Sequence, residues 1–291
     1  MPVTPLPPIA GDMPRTINCR DDLNELLERE FPEANGLISS IRGGREAAEK
    51  RLKSIDAKLY ARSRDHLGGF VTGLSPYIRH GVISLAEVRD TVFKSIHNRD
   101  DGAKLINELG WRDFWQRIWQ NLGDGINDDQ EEFKTGYVSA SYSREIPEDV
   151  RYGCTGLACM DSFYKQLVSI GWLHNHARMW MAAWLVHWRR VHWKTGADWF
   201  LEHLLDGDPA SNNLSWQWVA STFSHKPYFF NRDTLERYSG GSFCENCTSA
   251  TSCPFEGSYD RLGSDLFPYA PPIRNTPVRR RSNRSKSTIK S

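Results

Sequence analysis

The sequence predicts an all-α fold built around one main domain. Apolar side chains recur at helical spacing in several segments, whereas no segment alternates polar and apolar residues with the period of a strand. The sequence also contains none of the glycine-rich motifs with which strand-based folds bind dinucleotides or nucleotide phosphates. Hydrophobic residues make up 39% of the 291 residues and charged residues 25%, as in globular proteins with a sizeable core.

The predicted helices follow one another along the chain. An amphipathic segment over 21–31 ends at Pro32, because proline cannot continue a helix. Ser84 and Glu87 form a capping box that opens a helix toward Ile96. Helical spacing predicts the others over 44–64, 105–122, 161–170 and 172–193. The last of these is apolar nearly all round, which predicts that it is buried.

Composition divides the chain into four parts. Residues 1–18 form a proline-rich leader, 19–240 the helical domain, 241–272 a cysteine-rich extension packed on it, and 273–291 a basic, disordered tail. From Arg274 onward there are seven Lys or Arg and no acidic residue, so the net charge of +1 leaves −6 on the preceding residues. Nucleic-acid binding therefore requires a local basic patch, to which the tail is expected to contribute.

Targeting signals and cysteine usage indicate a cytoplasmic protein. The longest apolar run, over 180–188, is too short to span a bilayer, and no membrane partner is expected. The N-terminus lacks the charged-then-apolar order of a signal peptide. Six cysteines in such a chain indicate reduced thiols or a metal site rather than a disulfide framework.

Tryptophan is unevenly distributed. All eleven Trp lie between Trp111 and Trp218, and a buried indole needs a partner for its N–H group. An aromatic-rich core is one interpretation. Arg178 lies on the same apolar stretch and requires a buried acid, for which Asp206 or Asp208 is the candidate. A buried cation among indoles favours the second interpretation, a site for an anionic, planar, redox-active ligand.

Two further segments carry polar groups suited to such a ligand. Residues 71–81 form a loop of small hydroxyl residues before a proline-started helix, which suits a phosphate but also fits an ordinary cap. Glu108, Trp111 and Arg112 share one helical side at i, i+3 and i+4. They suit a base-like ring and a phosphate, and they also fit a surface ion pair beside a core Trp.

Taken together, these segments resemble the FAD-binding half of the photolyase/cryptochrome family. The family pattern is TSRLSPYL, ELxWREFY, GWxHNRxRM, DGDxAxNNGGWQWxAS and PYFRxFNP. The chain reads VTGLSPYI, ELGWRDFW, GWLHNHARM, DGDPASNNLSWQWVAS and PYFFNRDT, from roughly Tyr60 to Asn231. The resemblance implies an all-α, photolyase/cryptochrome-type FAD-binding helical domain. The family's N-terminal α/β antenna domain is not expected, because only about 60 residues precede the match.

The resemblance also implies the site residues. FAD would be held by Tyr60, Thr72, Leu74, Ser75, Arg112, Asn175, Arg178, Asp206, Asp208 and Asn212. Arg178 would lie beside the isoalloxazine ring and pair with Asp206, and Asn212 would face flavin N5. UV-damaged DNA, single- or double-stranded, would contact Glu108, Trp111, Asn175, Met179 and Trp218. The residues taking part in catalysis would be Glu108, Asn212, Trp216 and Trp193, the two Trp as electron carriers.

These assignments imply a blue-light-dependent photolyase, a lyase that splits cyclobutane pyrimidine dimers by electron transfer from excited, reduced FAD. The alternative is a non-repair, cryptochrome-like photoreceptor that signals through flavin photoreduction. A third interpretation is a structural protein with a degenerate pocket.

The chain departs from the family pattern at three positions. Gly73 and His176 stand where the family has arginine, which bears on phosphate contacts. The outermost Trp of the family's electron relay falls near Val150, so the relay is interrupted. The candidates to replace it are Tyr152, Trp184, Trp188 and Trp199.

The cysteines Cys244, Cys247 and Cys253 form a C-x-x-C-x5-C pattern before Pro254 and Phe255. This spacing resembles the tail of the iron–sulfur bacterial photolyases, which implies an iron–sulfur cluster or a zinc ion. Reduced thiols or a local disulfide are the alternative. Cys154, Cys159 and His187 are the candidates for a fourth ligand.

Overall fold

The computed structural model describes residues 17–32 and 38–270. Among these residues the fold is helical, and its one extended pairing is an isolated bridge between Ser143 and Val191. The helices are α1 Arg20–Glu30, α2 Arg45–Lys53, α3 Ala57–Ser63, α4 Ser75–Arg79, α5 Leu85–Ser95, α6 Arg99–Leu122, α7 Glu148–Arg151, α8 Ala158–Ile170, α9 Asn175–Ala183, α10 Trp193–His203, α11 Pro209–Ala220, α12 Arg232–Ser239 and α13 Tyr259–Leu266.

Capping side chains set several of these helix boundaries. Ser84 and Glu87 form the predicted capping box at the start of α5. The helix predicted over 44–64 is divided in two, because Asp56 accepts a hydrogen bond from the Leu59 N–H at 2.8 Å and starts a new helix. Helix α6 begins six residues before the predicted Leu105, because the side chain of Asn98 caps it.

The single helix predicted over 172–193 is wrong at both ends. Helix α9 starts three residues later, where Nδ1 of His174 accepts a hydrogen bond from the His176 N–H at 3.1 Å. It closes in a π-helical turn over Trp184–Trp188, and Arg190 then takes a positive φ of 52° that no helix continues. Trp193 therefore starts the next helix, α10, instead of ending this one.

The buried apolar residues form two separate clusters. One lies between α2 and the first part of α6, and includes Tyr60 and Leu74. The other joins the segment after α6 to α8–α12 and contains most of the buried indoles. The phosphate-loop candidate precedes α4 on the first cluster, whereas α9 and α11 belong to the second. The predicted site residues therefore come from both clusters.

Residues 241–270 pack against the second cluster through Phe243, Phe255 and two of the cysteines, Cys244 and Cys253. The proline-rich leader, apart from Ile17 and Asn18, and the basic tail lie outside the described residues, so their predicted roles stay predictions. The described part of the chain contains no helix that is both long and apolar enough to cross a membrane.

Candidate functional site

The predicted ion pair between Arg178 and Asp206 is formed. Nη2 of Arg178 donates to both carboxylate oxygens of Asp206, at 2.8 and 3.0 Å, and Nε donates to the Leu173 carbonyl at 2.9 Å. The Asp206 side chain is 3% exposed, whereas a quarter of the Arg178 side chain remains accessible. The charge is thus balanced inside the fold while one edge of the guanidinium stays available to a ligand.

Asp208, the other candidate acid, has a different role in this structure. It caps α11 by accepting a hydrogen bond from the Ser211 N–H at 3.0 Å. Both of its carboxylate oxygens also accept from Nε2 of Gln116, each at 2.8 Å. Gln116 was not predicted, although it lies one helical turn after Arg112 and the same spacing could have identified it. The two acids of the Asp-Gly-Asp motif therefore bind different partners, one a cation and one an amide.

A cavity of about 460 Å³ opens between α4, α5 and α6. Two of the predicted cofactor residues, Arg112 and Asp208, line this cavity. Gln116 and Trp119 also line it. Arg112 has no ion pair or side-chain hydrogen bond among the described residues. A cation without a protein partner beside a cavity of this size suits an anionic ligand.

The loop before α4 is held by its own hydroxyl groups and by an indole. Thr72 accepts from the Leu74 N–H at 3.4 Å, and Ser75 accepts from Nε1 of Trp172 at 3.2 Å. Leu74 is buried, and so is Tyr60, for which burial raises the pKa of the hydroxyl to about 12. The predicted phosphate residues therefore lie on one loop and on the helix beneath it, with Tyr60 neutral at physiological pH.

Asn212 lies on the face of α11 that meets α10. Its amide nitrogen donates to the Ala197 carbonyl at 2.9 Å and to Oδ1 of Asn213 at 3.0 Å. Because both donations stay within the protein, the side-chain oxygen is left as the group able to accept from a ligand N–H.

The carboxylate of Glu108 forms ion pairs with two cationic side chains. Oε1 lies 3.1 Å from Nη1 of Arg64 and 3.6 Å from Nζ of Lys104. Arg64 is 9% exposed and also covers the ring of Tyr60 at 5.6 Å. Sequence reasoning missed Arg64, although its position four residues after Tyr60 could have indicated it.

Two of the eleven indoles are exposed, and they are the two predicted to contact substrate. Trp111 is 53% exposed and Trp218 39%, whereas the other nine are buried or half-buried. Trp111 stacks on Trp115 at 5.4 Å, and Trp115 contacts Phe223 at 5.9 Å, three residues beyond α11. An aromatic surface thus continues from α6 to the end of α11.

Asn175 and Met179 complete the predicted substrate set. They lie one turn apart on α9, with Nδ2 of Asn175 3.3 Å from the Met179 sulfur. Asn175 is exposed and Met179 half-buried, so both are accessible from the start of α9.

The inner electron-relay candidates are buried. Trp193 donates from Nε1 to Asp129 at 2.5 Å, and Trp216 packs against Phe200 with ring centroids 4.9 Å apart. A Cβ atom built on Gly196 would overlap the six-membered ring of Trp216, so only glycine lets α10 and α11 approach this closely.

At the outer end of the relay, Val150 is buried and has no redox-active side chain. Tyr152, two residues later, is 69% exposed, whereas Trp184 and Trp199 are buried and Trp188 is half-buried, donating to the Pro254 carbonyl at 2.9 Å. Tyr152 is therefore the relay candidate at the surface.

The three cysteines of the C-terminal pattern line one pocket with Cys159 of α8. All four are free thiols, and burial raises the pKa of Cys159 to about 12 and that of Cys244 to about 11. Across residues 17–32 and 38–270, no three His, Cys, Asp or Glu side chains are arranged to hold a metal ion. The cluster predicted at Cys244, Cys247 and Cys253 thus has no preformed geometry.

Comparison with known proteins assigns the domain. Residues 105–246 match the family model described as the FAD-binding domain of DNA photolyase. This match assigns the helical domain, over the residues that it covers, to the FAD-binding domain of the photolyase family. The resemblance inferred from five motifs and the all-α fold class are both confirmed.

Two relatives are deoxyribodipyrimidine photo-lyases. That of Streptomyces griseus is 32% identical over 220 residues, which cover 72% of this chain and 46% of the relative. That of Halobacterium salinarum is 34% identical over 221 residues, or 71% of this chain and 45% of the relative. The chain therefore spans less than half the length of either enzyme.

Solved structures show the same fold. A cryptochrome of Synechocystis sp. superposes with a TM-score of 0.62 at 24% identity, over 72% of this chain and 47% of that one. An archaeal photolyase of Sulfolobus tokodaii, solved with two FAD molecules, gives a TM-score of 0.56 at 28% identity, over 68% and 45%.

The residues of this chain fit an FAD. Arg112 and the accessible edge of Arg178 offer positive charge to an anion, and the Asn212 oxygen offers an acceptor to a ring N–H. Cationic groups and an amide acceptor are groups with which a protein can bind the phosphates and the ring of a flavin dinucleotide.

Proposed function

We propose that this protein is a light-dependent, FAD-binding photolyase that splits cyclobutane pyrimidine dimers in DNA. The observation that carries the proposal is the exposure of Trp111 and Trp218, the two predicted substrate indoles, in a chain whose other nine Trp are at least half-buried. Trp111 lies against Phe114, which is also exposed, and contiguous exposed apolar patches mark binding surfaces. Base–aromatic stacking is also sequence-tolerant, as lesion recognition requires.

FAD binding would use residues from both apolar clusters. Thr72, Leu74 and Ser75, above the buried Tyr60, would contact the phosphates together with Arg112. Arg178, held in place by Asp206, would lie against the flavin ring, with Asn175 nearby, and Asn212 would accept from the ring N5–H. Asp208 would act mainly through α11, which it caps and joins to Gln116 of α6. When bound and reduced, FAD would supply the light-driven electron for cleavage of the dimer and would regain it afterwards, so no external oxidant is needed.

The chain's own groups then bind the lesion. Trp111 and Trp218 would form the walls of an apolar slot into which the dimer is flipped from the DNA, because it cannot otherwise reach a buried cofactor. Glu108 would accept hydrogen bonds from the pyrimidine edges, and Arg64 would keep its carboxylate in place. Asn175 and Met179 would close the slot from α9.

Blue-light repair of a dimer-containing oligonucleotide tests the proposal. Purified protein with reduced FAD should restore thymine absorbance, and Glu108→Ala should lower the repair yield several-fold while FAD stays bound. The matched control is Asp113→Ala, which removes an exposed carboxylate from the same helix and should leave repair unchanged. Bound, reduced FAD without any repair by the wild-type protein would refute the enzyme assignment.

The second candidate is a non-repair photoreceptor, favoured by two specific departures. His176 replaces a family arginine, and its environment lowers its pKa mainly through burial, so it brings no positive charge to DNA at neutral pH. Val150 interrupts the predicted electron relay. Photoreduction of FAD in a protein that neither repairs nor binds damaged DNA would support the receptor.

We infer separately that the cysteine pocket is where the predicted iron–sulfur cluster or zinc ion would bind, with Cys159 as fourth ligand. The support is that Cys159, Cys244, Cys247 and Cys253 line one pocket. Burial raises the pKa of Cys159 and of Cys244, so binding must release protons from these thiols. Iron, zinc and acid-labile sulfide analysis of anaerobically purified protein tests this, and a metal content no higher than that of a Cys244→Ala, Cys247→Ala variant would contradict it.

A further inference from the structure

The loop before α4 carries a cation that comes from another helix. Gly73 stands at the position where the family pattern has arginine, and its φ is 60°. A Cβ atom built on Gly73 would overlap Nη1 of Arg51 and lie 3.2 Å from its Cζ and 3.8 Å from its Nε. The guanidinium of Arg51, on α2, therefore occupies the space that a side chain at residue 73 would need.

Arg51 is also without a competing partner. No carboxylate forms an ion pair with its guanidinium in the described residues, whereas Arg45, on the same helix, binds Glu49 and Glu87 at 2.8 and 2.7 Å. Arg51 is half-buried, so its charge is only partly screened by solvent. An unpaired, half-buried guanidinium over a loop of hydroxyl side chains has the chemistry of a phosphate contact.

We propose that Arg51 supplies the phosphate-binding cation of the loop Thr72–Ser75, and that the phosphate is the diphosphate of FAD. The proposal rests on the proposed FAD-binding function. Gly73 and Arg51 then depend on each other, because the absence of a side chain at residue 73 leaves room for the guanidinium from α2. The loop thus has a positive charge beside it, supplied by residue 51 instead of by residue 73.

Titration of FAD into the cofactor-free protein tests this. Arg51→Ala should weaken FAD binding about ten- to a hundred-fold, the range for losing hydrogen bonds to a charged group. Lys53→Ala removes a charge from the same helix at an exposed position and should change the dissociation constant less than about two-fold. The thermal midpoint of the cofactor-free Arg51→Ala protein should stay near that of the wild type, which a purely structural role would not allow.

A second substitution tests the exchange of positions. Gly73→Arg alone should weaken FAD binding, because its side chain collides with Arg51. In the Arg51→Ala background the collision is removed, so Gly73→Arg should weaken FAD binding there much less than it does in the wild type. The strain of a side chain at a φ of 60° is the same in both backgrounds and cancels in the comparison. This non-additivity is the signature of a shared site, and equal effects of Gly73→Arg in the two backgrounds would contradict it.

The outcomes separate this proposal from the function on which it rests. Failure of the wild-type protein to bind FAD would overturn the proposed function itself. Tight FAD binding by both wild type and Arg51→Ala would overturn only the role of Arg51. Unchanged FAD affinity with weaker binding of DNA would also overturn it, because the phosphate would then belong to the DNA backbone.

Discussion

Removing Asp206 should destabilise the fold strongly even when no cofactor is bound. Its side chain is 3% exposed and receives both hydrogen bonds from Nη2 of Arg178. Breaking a buried pair by deleting one partner costs about 3–5 kcal/mol, because the other charge is left uncompensated. Arg178 is 25% exposed and keeps its bond to the Leu173 carbonyl, so the lower end of that range, about 3 kcal/mol, is expected for Asp206→Ala.

Urea unfolding of the cofactor-free protein at neutral pH measures this effect. FAD must be removed first, because a ligand that binds only the folded state would add its own stabilisation. Asp113→Ala is the matched control, since its ion pair with Arg117 is exposed and contributes about 0–1 kcal/mol. The double variant Arg178→Met with Asp206→Leu should recover most of the loss, because it removes the unpaired charge.

Two results would refute the reasoning. A loss of less than about 1 kcal/mol in Asp206→Ala would show that solvent already screens Arg178. A double variant as unstable as the single one would show that the cost comes from packing and not from the isolated charge.

Three further outcomes follow from the same structure. Gly196→Ala should lower the free energy of unfolding by about 1–3 kcal/mol, because the added methyl group overlaps Trp216. Gly110→Ala, which has open space around it, should raise the free energy of unfolding by up to about 1 kcal/mol. Equal effects of the two variants in chemical denaturation would contradict the close approach of α10 and α11. Trp216→Phe should slow photoreduction of bound FAD, measured by the loss of flavin absorbance under blue light, and an unchanged rate would exclude Trp216 as a carrier. Burial lowers the pKa of His174 from 6.5 to about 4, so between these pH values the unfolded state binds more protons than the folded state. The free energy of unfolding should therefore fall as the pH drops from 6.5 to 4. The urea midpoints at pH 6.5 and pH 4 should differ less in His174→Asn, which keeps the capping acceptor.

The sequence predicted the ion pair of Arg178, whereas it misplaced both ends of the helix that carries this residue. The need to neutralise a buried charge left Asp206 and Asp208 as candidates, and the family resemblance selected Asp206, which forms the pair. The end of α9 could not be predicted, because the run over 180–188 is apolar except for His187, and its periodicity does not show a π-helical turn or the positive φ of Arg190.

Partners from distant parts of the chain were also beyond prediction. Asp129 binds the indole N–H of Trp193 from 64 residues away, and no local pattern marks it. The guanidinium of Arg51, on α2, occupies the space beside Gly73, and no local pattern marks this pair. Local propensity and spacing identify which residues need a partner, but tertiary packing decides which partner they find.

Hydrogen bonds between the two apolar clusters have a consequence for how the molecule comes apart. Trp172 donates to Ser75, Arg79 donates to the Gly207 carbonyl at 2.5 Å, and Gln116 holds Asp208. A cofactor bound among these residues would touch both clusters and couple their stabilities. With FAD bound, the protein should unfold in a single cooperative transition. Without FAD, hydrogen exchange should show that the residues up to the first part of α6 open independently of the rest. The cofactor would then couple two units that otherwise unfold separately.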